Sequence, residues 1–139
     1  MNKKIIVFGT FDIFHPGHRN FFRQAKKLGD YLMVVVARNQ NVKKIKGELP
    51  LNDELDRLRE VKKNRTVDKA VLGNKNDKYK ILRQQQPDVI CLGYDQKVNK
   101  KELQKKLKEY KLSKVKINKL KAFKPEIYKS SILKKDAKK

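Results

Sequence analysis

Two histidines, the only ones in the chain, lie three positions apart in a glycine-framed segment near its start. The imidazole N–H groups of His15 and His18 can donate hydrogen bonds to a phosphate whose negative charge grows in a transition state. A structural zinc site is disfavoured because no third histidine and no cysteine lie nearby. The spacing therefore predicts a phosphate-binding pair within the run Gly9-Thr10-Phe11-Asp12-Ile13-Phe14-His15-Pro16-Gly17-His18.

The elements around this run are suited to binding an anion. The preceding segment, residues 4–8, is short, apolar and rich in β-branched side chains, which predicts a buried strand of a parallel sheet. Gly9 allows a bend and a close approach of a ligand to the backbone. Gly17 opens a segment with helical spacing of apolar residues, and the N-terminus of a helix offers unpaired N–H groups and a positive dipole end.

The rest of the chain alternates strand and helix patterns, which predicts a Rossmann-like α/β fold with a five-stranded parallel sheet and helices on both faces. We expect one domain over residues 1–139, with residues 134–139 as a frayed basic tail. Asn52 is expected to cap a helix that buries Leu55, Leu58 and Val61 on one face. The strand candidates are 3–9, 31–37, 68–72, 88–92 and 114–119; the helix candidates are 17–28, 52–63, 77–86, 99–110 and 129–135.

Composition limits the possible functions and partners. The formal net charge of +22 favours anionic partners such as nucleotides, phosphorylated substrates or nucleic acid. No apolar run is long enough to predict a membrane span, and the start of the chain leaves no room for a secretory signal. The single cysteine, Cys91, lies in an apolar strand pattern and is expected to be a small buried hydrophobe. These features predict a cytoplasmic protein.

Ligands of open parallel sheets bind at the carboxyl ends of the strands, so the loops that begin there are informative. The stretch after the second strand is interpreted as a basic loop in which Arg38 holds a phosphate and Lys43, Lys44 and Lys46 reach outer phosphates of a nucleotide. An ordinary exposed basic loop is the alternative for each single lysine.

Two further loops carry candidate ligand contacts. Gly93 permits close approach to a ligand, and Asp95 can bind a ribose hydroxyl or a base amine, although an ordinary turn also explains both. Ser130 and Ser131 stand at a predicted helix start, where their hydroxyls can cap the helix or donate to a phosphate.

The first motif, Gly-Thr-Phe-Asp-x-x-His-x-Gly-His, resembles the signature of the cytidylyltransferase-like nucleotidyltransferases. The resemblance implies that the two histidines bind the α-phosphate region of a nucleoside triphosphate and that an arginine on the second predicted helix faces the substrate. It also implies a Val-Asp pair opening the third strand and a Ser/Thr-rich start of the last helix. The implied contacts are His15, His18 and Lys46 in catalysis; Gly9, Thr10, Phe11, Gly17, Gly93, Asp95, Ser130 and Ser131 on the nucleotide; and Asp12, Arg38, Lys43, Lys44 and Arg57 on substrate phosphate.

Within that family, the Val-Ala-Arg-Asn and Leu-Gly-Tyr-Asp-Gln stretches look more like archaeal-type FAD synthases, although Asn39 stands where that branch usually has aspartate. This similarity implies an FMN adenylyltransferase that uses ATP with Mg²⁺, for which Asp12 is a possible ligand. Glycerol-3-phosphate cytidylyltransferase, which uses CTP, is the alternative within the family. A basic nucleic-acid-binding domain is the alternative from another class. A homodimer is expected because it is common in the family.

Overall fold

The computed structural model describes residues 3–12, 16–77, 79–92 and 100–120. Within these ranges the chain forms five strands and five helices. They are β1 (Lys4–Gly9), α1 (Pro16–Lys26), β2 (Tyr31–Val36), α2 (Asn39–Lys46), α3 (Glu54–Lys62), β3 (Lys69–Leu72), α4 (Lys80–Gln85), β4 (Val89–Leu92), α5 (Lys100–Glu109) and β5 (Lys116–Lys119).

The strands form one parallel sheet of five strands, as the alternating pattern predicts. Their order in the sheet is β3-β2-β1-β4-β5. Every residue of β4 is buried, as are five of the six residues of β2, because both faces of the sheet are covered. Residues of α1 and α3, such as Phe22 and Val61, pack on one face. Residues of α4 and α5, such as Leu82 and Leu103, pack on the other. The predicted fold class is therefore confirmed.

Aspartates secure the amino ends of the strands, on the edge of the sheet away from the first motif. The Asp68 carboxylate accepts the Leu32 N–H at 2.7 Å, which ties the start of β3 to β2. Burial alone would raise the pKa of Asp68, but hydrogen bonds from Lys26 and Leu32 lower it overall. The Asp30 carboxylate accepts the N–H of Lys3 at 2.9 Å, and the Asp88 carboxylate accepts that of Lys4 at 2.8 Å. Together with Asp68, this edge therefore has three aspartate acceptors.

Three expectations about helices are wrong. The stretch interpreted as a basic loop forms α2, which ends at Gly47 with a left-handed φ of 82°. The next helix, α3, begins at Glu54 with Asp53 as its cap, so Asn52 is not the cap. The side chain of Leu55 is 56% exposed, whereas Arg57 is buried on this helix. The reason for these differences is that polar contacts described below, and not apolar spacing, fix the start of α2 and the buried face of α3. The helix expected over 129–135 and the tail at 134–139 lie outside the described residues.

Candidate active site

The chain crosses over at the centre of the sheet. From β1 it proceeds through β2 to β3 on one side, and then returns to place β4 directly beside β1. In open parallel sheets the ligand crevice lies at the carboxyl ends of the two strands where the order reverses. Gly9 ends β1 and Leu92 ends β4, so both strands end at this crevice, and the first motif leaves the sheet there.

Phe11 fills the space directly above Gly9. A Cβ atom on Gly9 would lie 2.4 Å from Cζ of Phe11, which is far inside van der Waals contact. The Phe11 ring is 5% exposed and lies 5.2 Å from the Phe22 ring, between centroids. Gly9 was expected to give a ligand close access to the backbone. In the structure, the group that approaches it closely is the ring of Phe11.

His18 lies in the first turn of α1, where the helix dipole is positive and no acidic residue is present. Its imidazole contacts the Phe11 ring edge-to-face, with centroids 5.1 Å apart and an interplanar angle of 79°. His18 is half-buried, and so is Gly17 before it. This placement suits a hydrogen-bond donor to a bound phosphate. His15, the other histidine of the motif, lies outside the described residues.

Arg57 is the most deeply buried charged side chain of the described part of the chain, with 1% of it exposed. Its guanidinium donates to the carbonyl of Thr10 at 2.8 Å, to the carbonyl of Asn52 at 3.0 Å and to Oδ1 of Asn39 at 2.7 Å. Burial lowers the pKa of Arg57, while nearby carboxylates, first among them Asp12, oppose that effect. The expectation that Arg57 faces the substrate is therefore not met here, because protein acceptors occupy all three of its nitrogens.

Asp12 joins the first motif to the segment that precedes α3. Its carboxylate oxygens accept the N–H groups of Leu51 and Asn52, each at 2.8 Å, and the Asn52 amide donates back to the Asp12 carbonyl. Asp12 was expected to bind phosphate or a metal ion. Its buried carboxylate instead supports the loop, because both oxygens accept backbone N–H groups.

A second polar cluster forms where β2 ends and α3 begins. Glu54 accepts the Asn39 N–H at 2.9 Å and an N–H of Arg38 at 2.9 Å. The hydrogen bond from Asn39 is the main cause that lowers the pKa of Glu54, and Arg38 adds to it. Arg38 also donates to the carbonyl of Gly73 at 2.9 Å. Two of the three nitrogens of the guanidinium expected to hold a phosphate are thus engaged by the protein.

The side-chain amide of Asn39 has two partners, and each binds a different atom of that amide. Its Oδ1 accepts from Arg57, and its Nδ2 donates to the Asp53 carboxylate at 2.8 Å. That hydrogen bond is the largest cause that lowers the pKa of Asp53. Aspartate at position 39 would accept from Arg57 but could not donate to Asp53. The amide thus matches its two neighbours in this chain.

The three lysines expected in a basic loop lie on α2, and all are exposed. Glu54 fixes the first turn of this helix through the Asn39 N–H. Val42 packs inward, so the lysine side chains extend from an anchored helix at the carboxyl edge of the sheet. The lysines are Lys43, Lys44 and Lys46.

Several predicted contacts fall on residues that the structure does not describe: His15, Gly93, Asp95, Ser130 and Ser131. Among the residues that it describes, no group of three histidine, cysteine or carboxylate side chains is placed to hold a metal ion. In the same part of the chain, no helix is long and apolar enough to cross a membrane.

The roles of Asn39, Asp53 and Glu54 were not predicted from the sequence. A signal was present, since Asn52-Asp53-Glu54 combines a capping residue with an acidic first turn shortly after Arg38. What the sequence does not reveal is that these acids face two buried or half-buried arginines.

Comparison with known proteins identifies the family. The family model described as cytidylyltransferase-like matches residues 6–136. The chain belongs to the cytidylyltransferase-like family. Among its relatives, the FAD synthase of Aciduliprofundum boonei is 46% identical over 102 residues, which cover 73% of this chain and 68% of that protein. The FAD synthase of Ferroglobus placidus is 48% identical over 103 residues, covering 74% of this chain and 66% of that protein. The matched segment thus spans about two thirds of these relatives.

Solved structures agree with this cytidylyltransferase-like fold. The crystal structure of a Thermoplasma volcanium protein, described as a lipopolysaccharide core biosynthesis protein, superposes with a TM-score of 0.81 at 38% identity. The match covers 88% of this chain and 99% of that one. An Archaeoglobus fulgidus protein of unknown function superposes with a TM-score of 0.69 at 18% identity, which shows the shared fold alone.

Proposed function

We propose that this member of the cytidylyltransferase-like family is an FMN adenylyltransferase, which joins the AMP moiety of ATP to FMN and releases pyrophosphate. The observation that carries the proposal is the similarity to several FAD synthases, at 43–48% identity over about 73% of the chain. The Leu-Gly-Tyr-Asp-Gln stretch after β4 supports the same assignment.

The proposed reaction is an in-line displacement. An oxygen of the FMN phosphate attacks the α-phosphorus of ATP, and the bond from that phosphorus to the oxygen bridging to the β-phosphate breaks. Pyrophosphate leaves with the electron pair. The attacking phosphate is already ionised, so the enzyme needs no strong general base. Catalysis then depends on positioning and on stabilising the charge that accumulates on the phosphates.

His18 is proposed to donate to an oxygen of the α-phosphate from the first turn of α1, and His15 is proposed as a second donor to the phosphates. The N–H groups of that turn, including Gly17, add a positive field. Lys46, with Lys43 and Lys44, is proposed to attract the outgoing pyrophosphate from the exposed side of α2. Mg²⁺ would neutralise part of the triphosphate charge, held mainly by phosphate oxygens and water.

The nucleotide's ribose and base are proposed to bind near Gly93 and Asp95, with Ser130 and Ser131 as further donors to phosphate. Thr10 and Phe11 would present backbone and an apolar wall to the nucleotide. A homodimer and a cytoplasmic location complete the proposal. Size-exclusion chromatography with light scattering tests the dimer directly.

The decisive experiment measures pyrophosphate release with Mg²⁺, crossing ATP and CTP against FMN and glycerol 3-phosphate. Release with ATP and FMN, accompanied by FAD on chromatography, supports the proposal. Release with CTP and glycerol 3-phosphate assigns the alternative activity. Silence in all four reactions, with a salt-dependent gel shift of nucleic acid, favours a nucleic-acid-binding domain instead.

Matched variants connect the activity to the site. His18→Ala should lower kcat by about 10²- to 10³-fold, the usual cost of losing one donor to a developing charge. Lys46→Ala should raise the KM for ATP. Lys105→Ala removes the same charge from an exposed position on α5, which packs on the sheet through Leu103, and should leave both constants unchanged. Equal activity of the His18 variant and the wild type would contradict the proposed role.

A further inference from the structure

Arg57 connects three separate segments of the chain around the first motif. It belongs to α3, yet it donates to the carbonyl of Thr10 just after β1, to Asn39 at the start of α2 and to the carbonyl of Asn52. A guanidinium that is 1% exposed is stable only when acceptors surround it. The arrangement fixes the Thr10 carbonyl in space rather than presenting the arginine to a ligand.

The residue after Thr10 has an unusual backbone conformation. Phe11 has a φ of 54°, in the left-handed region that bulky side chains rarely adopt. The chain is anchored on both sides of it. Arg57 holds the Thr10 carbonyl at 2.8 Å, and the N–H groups of Leu51 and Asn52 hold the Asp12 carboxylate at 2.8 Å. These anchors maintain the strained residue.

The strained conformation places the Phe11 ring against the imidazole of His18. The two rings meet edge-to-face at 5.1 Å, an arrangement that aromatic pairs favour. Behind the Phe11 ring lies Phe22, with centroids 5.2 Å apart, and below it lies Gly9. The ring therefore has little space for another position, and it limits the orientations open to His18.

We infer that Arg57 is a positioning residue that orients the imidazole of His18 through the Thr10 carbonyl and the Phe11 ring. Its effect on nucleotidyl transfer rests on the proposed function, but the orientation itself is a property of the free protein. The two can be tested apart.

The test uses the fact that the chain has only two histidines. A protein labelled with ¹⁵N and ¹³C in histidine gives two imidazole spin systems, and the spectrum of His18→Asn assigns them. The Phe11 ring shifts the resonances of the His18 ring protons through its ring current. Phe11→Leu removes that shift and defines the reference for a lost contact.

Arg57→Met should move the His18 resonances toward their positions in Phe11→Leu. The double variant should show no further movement, because both changes act on the same contact. Arg59→Met, on the same helix with a side chain that is 68% exposed, is the matched control and should leave the His18 resonances in place. If Arg57→Met does not fold by circular dichroism, Arg57→Lys carries the same test, since one ammonium cannot replace all three hydrogen bonds.

Unmoved His18 resonances in a folded Arg57 variant would overturn the inference, as would shifts that add fully to those of Phe11→Leu. In the proposed reaction with ATP and FMN, Arg57→Lys should lower kcat by about 10- to 100-fold, as expected for a misplaced catalytic group. The change in the KM for ATP should be smaller. An equal loss of kcat in Arg59→Met would also contradict the inference that Arg57 positions His18. If the wild type lacks the proposed activity, the imidazole spectra still decide whether Arg57 orients His18.

Discussion

Gly9→Ala is expected to destabilise the protein through a single collision with the ring of Phe11. The new Cβ would lie 2.4 Å from Cζ and 2.7 Å from Cε2 of that ring, where about 3.5–4.0 Å is comfortable. The ring cannot move away freely, because His18 and Phe22 pack against it. Overpacking of this kind costs about 1–3 kcal/mol. For a domain of this size that corresponds to a Tm lower by roughly 3–12 °C.

Gly73→Ala provides the matched control. Gly9 is the last residue of β1 and Gly73 directly follows β3, so both lie at the carboxyl end of a strand. The added Cβ of Gly73 would meet Val35 Cγ1 at 3.5 Å, which is ordinary contact. Thermal unfolding by circular dichroism should therefore show a clear loss for the Gly9 variant and little change for the Gly73 variant. In a Phe11→Ala background the Gly9→Ala cost should disappear, because its collision partner is gone.

Two results would refute this reasoning. A Gly9→Ala variant that melts like the wild type would show that the ring has room to move. A cost that persists at full size in the Phe11→Ala background would show that the collision lies elsewhere. A corresponding fall in kcat is expected for Gly9→Ala as well, since a displaced Phe11 ring no longer limits His18.

Three further predictions concern polar groups and the thiol. Asn39→Asp should lower the Tm near neutral pH, because a second carboxylate cannot donate to Asp53; adding Asp53→Asn should recover the loss in a double-mutant cycle. The pKa of Glu54 is lowered by the Asn39 N–H and by Arg38, so its stabilisation is full above pH about 4.5 and is lost as the pH falls further. In urea titrations, the stability difference between wild type and Glu54→Gln should therefore shrink below that pH. Burial raises the pKa of the Cys91 thiol to about 12, so an aromatic disulfide reagent should react with it only in denaturant, and Cys91→Ala should remain active.

The sequence predicted the sheet to within two residues at each strand end. The strands β2 and β4 were predictable because buried parallel strands are continuous apolar runs. It did not predict α2, where Val42 and Ile45 are the only apolar residues among eight. This helix depends on contacts made elsewhere in the fold. Glu54 accepts the N–H of Asn39 at its start, and Gly47 ends it with a left-handed φ of 82°. Such partners, distant in sequence, leave no periodic signal.

The candidate site was predictable in location but not in contacts. The resemblance places an arginine at position 57, and the spacing of Leu55, Leu58 and Val61 predicts which face of α3 is buried. The structure exposes 56% of Leu55 and buries Arg57 instead. The spacing of apolar residues cannot predict that Arg57 is buried. The buried arginine is stabilised by backbone carbonyls such as that of Thr10, and no sequence pattern indicates such contacts.

The sequence has 15 acidic residues against 37 lysines and arginines. Six of these acidic residues accept hydrogen bonds at the two ends of the strands. At the amino ends of the strands, three aspartates bind main-chain N–H groups and stabilise the sheet. At the carboxyl ends, Asp12, Asp53 and Glu54 hold the loops and helices around the first motif. These carboxylates thus act mainly within the fold, where they hold strands, loops and helices together, while the net charge of +22 favours anionic partners.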